Sequence, residues 1–139
     1  MFLNDTIKSR WDNILPCLIL TGGEKQIMKV TVRNVIRFLP GKMAEGMKLE
    51  EEHMAIASRV LGISTRFYRR ISGVGECIRT IICESEFDSL AAFEAHPEKM
   101  RADPEMQKLM PKLVAVIDSL EVELYTSMRA PIRRINTDS

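Results

Sequence analysis

Two hydrophobic periods take turns along residues 28–128, and their order constrains the fold more than any other feature of the sequence. Lys29 to Leu39 alternates: Val30, Val32, Ile36 and Phe38 share one face, and Thr31, Arg33, Val35 and Arg37 the other. That is the pattern of a half-buried strand, with Asn34 interrupting its apolar face. Pro40-Gly41 marks a turn. From Met43 to Leu61 the period becomes helical, with Met43, Met47, Met54 and Leu61 on one stripe. Glu50, Glu51 and Glu52 read as the solvated side, and Gly62 as the stop. Thr65 to Ser72 alternates again, with Phe67 and Ile71 on one face and Arg66, Tyr68 and Arg70 on the other.

Gly73-Val74-Gly75 predicts a hairpin turn, and Cys77 to Glu84 a third strand rich in Ile, Thr and Cys. Ser85 or Asp88 can cap a second helix running through Phe87, Leu90, Ala91 and Phe93, with a break at Pro97. Asp103-Pro104-Glu105 has the form N-cap, N1 proline, first-turn acid. Behind it Met106, Leu109, Met110, Leu113, Val116, Ile117 and Leu120 make an apolar stripe, which Pro111 should kink or split. Glu121 to Met128 alternates once more. The order is βαββαβ, the ferredoxin-like α+β arrangement of a four-stranded antiparallel sheet with helices on one face.

That arrangement leaves the other sheet face without helical cover. It would carry Arg33, Val35, Arg37, Arg66, Tyr68, Arg70, Cys77, Arg79, Ile81, Cys83, Glu121, Glu123 and Tyr125. A face mixing Val, Ile and Tyr with Arg and Glu suits neither water nor a dry core, and a second copy of the same face accommodates it. The expectation is a homodimer in which Glu121 and Glu123 balance the arginines.

Three stretches of residues at this point resemble a known family. They are Tyr68-Arg69-Arg70, the block Glu84-Ser85-Glu86-Phe87-Asp88-Ser89-Leu90-Ala91-Ala92-Phe93-Glu94, and Lys99-Met100-Arg101-Ala102-Asp103-Pro104-Glu105. Together they are similar to the NIPSNAP-like group of dimeric α/β-barrel proteins, over about residues 28 to 128. The resemblance implies homodimers whose two sheets close into a barrel with the helices outside. Relatives on that scaffold include cofactor-free antibiotic-biosynthesis monooxygenases, haem-degrading monooxygenases and stress-responsive barrel proteins. Met106 departs from the group, which has an aromatic residue there.

The flanks carry little periodicity. Residues 1–27 have neither a helical stripe nor alternation, and Asp5, Asp12 and Pro16 spoil a signal-peptide reading. Two expectations stand for them. They are an N-terminal extension, or a leader preceding a native start at Met28, because Thr21-Gly22-Gly23-Glu24 is encodable by a purine-rich ribosome-binding stretch. Residues 129–139, with Arg129, Arg133 and Arg134, read as a flexible basic tail. Lys and Arg total 20 against 19 for Asp and Glu, which gives no electrostatic reason to expect nucleic acid. No apolar run is long enough to span a bilayer. Three cysteines (Cys17, Cys77 and Cys83) without a tight pattern suit reduced thiols in the cytoplasm.

Few residues point to chemistry. His53, on the flank of the first helix, could serve as a general base or metal ligand between helix and sheet; a boundary position is the alternative. His96, just before Pro97, suits carbonyl capping. Arg66, Tyr68 and Arg70 leave one side of one strand, where two guanidiniums could hold an anion or pair with facing acids. Asn34 could line a small pocket under the helices. No His-x-x-x-His or acid–His cluster is read, so neither a metal nor a cofactor is expected. The leading function is a homodimer that binds a small molecule or acts as a scaffold. The alternative, implied by the resemblance, is a cofactor-independent monooxygenase or isomerase acting on an aromatic or polyketide-like substrate. Asn34, His53 and Tyr68 would then supply the polar groups of a pocket between sheet and helices.

Overall fold

The computed structural model describes residues 29–73 and 75–127. The expected extension over 1–27, the start at Met28, Cys17, Val74 in the turn, Met128 and the tail over 129–139 lie outside the described residues. Among the described residues seven elements follow one another: β1 (Val30–Phe38), α1 (Met43–Leu61), β2 (Thr65–Arg69), β3 (Thr80–Phe87), α2 (Leu90–Ala102), α3 (Pro104–Val116) and β4 (Ile117–Thr126). The sheet order is β2-β3-β1-β4, and every neighbouring pair is antiparallel. This is the ferredoxin-like α+β fold read from the sequence, with its second helical segment divided in two.

Register explains why the helices cover one face. Residues directly opposite each other across a ladder share a face. Val32, Ile36 and Phe38 are buried, and across from Ile36 lies Ile81, also buried. The core over this face falls into two apolar clusters. One holds Ile36, Phe38, Ile81 and Cys83 against Leu49, Ile56, Ala57, Leu109 and Leu113. The other holds Val30, Val32 and Phe87 against Leu90 and Phe93. Leu61 and Ile63 touch both.

The helix and the sheet approach each other tightly at Gly46. Phe38 is fully buried, and a methyl group on Gly46 would come within 2.3 Å of its ring carbon Cδ1. Only a hydrogen at position 46 lets α1 lie this near the sheet. At the far end of α1, Gly62 takes φ of 67° and donates its N–H to the Ser58 carbonyl, a left-handed cap that glycine adopts without strain. Arg59 then ties α1 to the start of α3 through an ion pair with Asp103 at 2.9 Å. Asp103 also accepts the N–H groups of Glu105 and Met106, so the N-cap expected there is present.

Several boundaries differ from the sequence reading. β3 runs Thr80–Phe87 rather than Cys77–Glu84, because Phe87 continues the ladder opposite Val30. Ile81 and Cys83 therefore face the helices, and Ile82 and Glu84 take the open face. β2 stops at Arg69, so Arg70 lies beyond the strand, and Ile71 is 91% exposed. The cap of α2 is Ser89, whose side chain accepts from the Ala92 N–H at 3.0 Å. Neither proline ends its helix: Pro97 lies inside α2 and Pro111 inside α3. The apolar stripe of α3 ends at Val116, and Ile117 opens β4 with no intervening loop. Glu50 is the largest departure. It is buried to 2% exposure, although its neighbours Glu51 and Glu52 are exposed.

Candidate functional site

The sheet's helix-facing side carries one polar residue in the row through Asn34. Asn34 stands opposite Cys83 on β3 and Val122 on β4, and Phe67 of β2 stands beyond Cys83. The rows on either side hold Val32 and Ile36, both buried. Asn34 is thus a polar interruption on the covered face, half-buried, as the alternation predicted.

Above this row α1 contributes Glu50 and His53. The spacing of three residues puts both on one helix face. The His53 Nδ1 is 3.1 Å from the Glu50 Oε2. The Glu50 side chain is 3% exposed and that of His53 26%, so a carboxylate in the interior backs an imidazole that reaches solvent. A carboxylate is only an acceptor, so the contact places a hydrogen on Nδ1 and leaves Nε2 as the ring's other position. The acid–His pair that the sequence reading did not find is therefore present. Its signal was the Glu-x-x-His spacing, hidden by three consecutive glutamates that read as one solvated face.

Two further groups lie within electrostatic range. Burial first, and the Glu50 charge second, push the Cys83 thiol well above its ordinary range. Burial also lowers the pKa of His96; its bond to the Phe93 carbonyl opposes that, and the His53 charge adds to the lowering. The His96 ring packs on Phe87 and Phe93, with centroids 5.1 and 4.7 Å away. Its Nδ1 donates to the carbonyl oxygen of Phe93 at 2.5 Å. This is the carbonyl capping expected of His96, although within the helix rather than at its end. Among the described residues, no three His, Cys, Asp or Glu side chains are grouped to hold a metal ion.

The remaining sequence candidates fall elsewhere. Arg66 is opposite Glu84, and Tyr68 opposite Ile82, both on the open face. Tyr68 is therefore on the other side of the sheet from Asn34, and one pocket between sheet and helices does not include both. Arg70, past the end of β2, is half-buried with its side chain beside Gly73. Arg33, on the interior strand β1, gathers charged and aromatic partners on this face. Its guanidinium bonds Glu84 at 3.1 Å and lies over the Tyr125 ring, 4.8 Å from the centroid. The Tyr125 hydroxyl donates to Glu123. That hydrogen bond is the main reason the Tyr125 pKa is raised, with burial second. Tyr68 and Tyr125 remain 43% and 44% exposed.

No family model matches the sequence, and no curated protein matches it. Solved structures do. A NIPSNAP family protein from Agrobacterium tumefaciens is similar with a TM-score of 0.63 and 23% identity, over 75% of this chain and 90% of that one. A NIPSNAP domain protein from Burkholderia xenovorans gives a TM-score of 0.62 at 19% identity, over 73% and 96%. SnoaB, a cofactor-independent oxygenase from Streptomyces nogalater, gives 0.56 at 18%, over 76% and 98%. At these identities the likeness is one of fold, and it is the NIPSNAP-like fold that the sequence resemblance implied.

Proposed function

We propose that the protein is a homodimer of the α/β-barrel type that binds a small apolar molecule between its helices and sheet. The observation that carries the ligand reading is the Glu50–His53 pair. A carboxylate buried on the inner stripe of a helix, beside Leu49, Ile56 and Ala57, costs more than an apolar residue there. Core stability alone does not call for it, whereas a ligand site does.

The dimer reading rests on the open face. Arg33, Glu84, Glu123 and Tyr125 form one polar network beside Val35, Ile82 and Tyr68, and none of the described helices covers them. A second copy of that face would bury the two tyrosines and keep the charges bonded. The β-barrel pairing of the NIPSNAP-like group supports the same assembly by analogy. No helix among the described residues is long and apolar enough to cross a membrane. Cys77 and Cys83 are free thiols, which favours a cytoplasmic setting.

Native mass spectrometry of freshly purified protein tests both halves. A dimer carrying a co-purified small molecule is the expected result. A ligand-free monomer at micromolar concentration overturns the proposal.

The second reading is a cofactor-independent oxygenase or isomerase. The observation that favours it is the partly exposed His53 ring backed by Glu50, together with the fold shared with an oxygenase of that kind. Turnover of an aromatic substrate under oxygen without added metal or cofactor would decide for it.

A further inference from the structure

We infer that Glu50 and His53 act together as a proton acceptor for a weakly acidic hydroxyl, a phenol or an enol, carried by an apolar ligand. The inference rests on the proposed ligand site between helices and sheet and gives that site a chemistry.

The geometry has the parts such an acceptor needs. The Glu50 carboxylate, 3% exposed and 3.1 Å from Nδ1, fixes the ring orientation and its tautomer. With Nδ1 engaged by Glu50, Nε2 is the ring nitrogen left for a ligand, on a side chain that is 26% exposed. When the ligand's O–H bond breaks, the proton passes to Nε2 and the electron pair stays on the ligand oxygen. The imidazolium so formed is already beside a carboxylate, and no oxidant, metal or second proton donor is required.

The groups facing the pair from the other elements fit this role. On β3, Cys83 holds its proton. On α2, His96 is kept neutral by burial among Phe87 and Phe93, which outweighs the opposing effect of its bond to the Phe93 carbonyl. Neither adds a positive charge that would oppose formation of the imidazolium at neutral pH. On β1, Asn34 stands across the ladder from Cys83 and offers an amide that can bond an oxyanion. The apolar clusters on both sides and the Phe87, Phe93 and His96 rings suit a flat, largely apolar ligand. An anionic ligand would meet the buried Glu50 charge on entry, so the ligand arrives neutral and ionises in place.

The test uses the full-length protein and 4-nitrophenol, whose phenolate is coloured, at a pH where the free probe is mostly neutral. The ionised fraction of bound probe is expected to rise about tenfold over free probe, equivalent to one pKa unit. His53→Gln, at a half-exposed position, should bind the probe in its neutral form. Glu50→Gln should give an intermediate result. Wild-type protein that leaves the probe neutral or does not bind it overturns the inference, as does a phenolate signal that persists in His53→Gln. Native mass spectrometry separates this from failure of the ligand site itself. A co-purified ligand, with 4-nitrophenol neutral when bound, removes the proton transfer and leaves the site standing.

Discussion

The imidazole of His96 donates its Nδ1 hydrogen to the carbonyl oxygen of Phe93, the acceptor that Pro97 leaves without a helical donor. In an α-helix the N–H of residue 97 would serve the carbonyl of residue 93, and proline has none. The side chain one residue earlier takes its place, and α2 runs on to Ala102. His96→Ala removes this bond and should cost about 0.5–1.5 kcal/mol, the net worth of a typical hydrogen bond. Pro97→Ala restores the backbone donor, so the same histidine change should cost less in that background. Urea unfolding of the four proteins measures the coupling.

Burial of the same imidazole gives stability a pH dependence. Burial holds the His96 pKa below its unfolded value, so between the two values the unfolded chain binds more protons than the folded one. The contribution of His96 is complete above about pH 6.5, the unfolded histidine value, and is lost as pH falls through the lowered folded value. A Tm profile from pH 7.5 downward should show that slope, and His96→Gln should remove it.

Gly46 and Phe38 set the distance between α1 and the sheet. Gly46→Ala gains helix propensity but drives a methyl into a ring that cannot move away, because Phe38 has no exposed surface. Overpacking of this kind costs about 1–3 kcal/mol. Phe38→Leu should lower that cost when the two changes are combined, and thermal melts of the single and double variants check it.

Tyr68 and Tyr125 are the large side chains that the open face exposes on its two edge strands. If two copies meet there, Tyr68→Glu places a carboxylate in the seam and Tyr125→Glu adds one beside Glu123. Each should weaken the dimer by at least about tenfold, or 1.4 kcal/mol, with little change in monomer fold. Sedimentation across protein concentrations checks both. Unchanged association in both variants would direct the search for the interface elsewhere.

Much of this was legible in the chain. The alternation of β1 placed Asn34 on the covered face, and Asp103-Pro104-Glu105 announced the start of α3. The parity of β2 put Arg66 and Tyr68 on the open side. The failures have local causes. In β3 both faces are apolar, so Ile81 and Cys83 could be read either way until pairing with β1 fixed the register. Pro97 of α2 looked like a break because nothing in a linear pattern shows a side chain replacing a backbone donor. Glu50 was hidden because burial of a charged residue follows from its partner, and His53 was weighed as an isolated residue.

Sheet order has a consequence for how the protein is made. β1 emerges first from the ribosome among the four described strands, yet it ends up in the interior of the sheet, and its Val30 pairs with Thr126 of the last strand. Until β4 arrives, one edge of β1 is an open row of backbone donors and acceptors, beside the apolar Val30, Val32 and Ile36. Such long-range closure slows folding and prolongs exposure of a sticky edge during synthesis. A nascent chain stalled before residue 117 should therefore be a good chaperone client, and release of the final ten-residue strand should end that dependence.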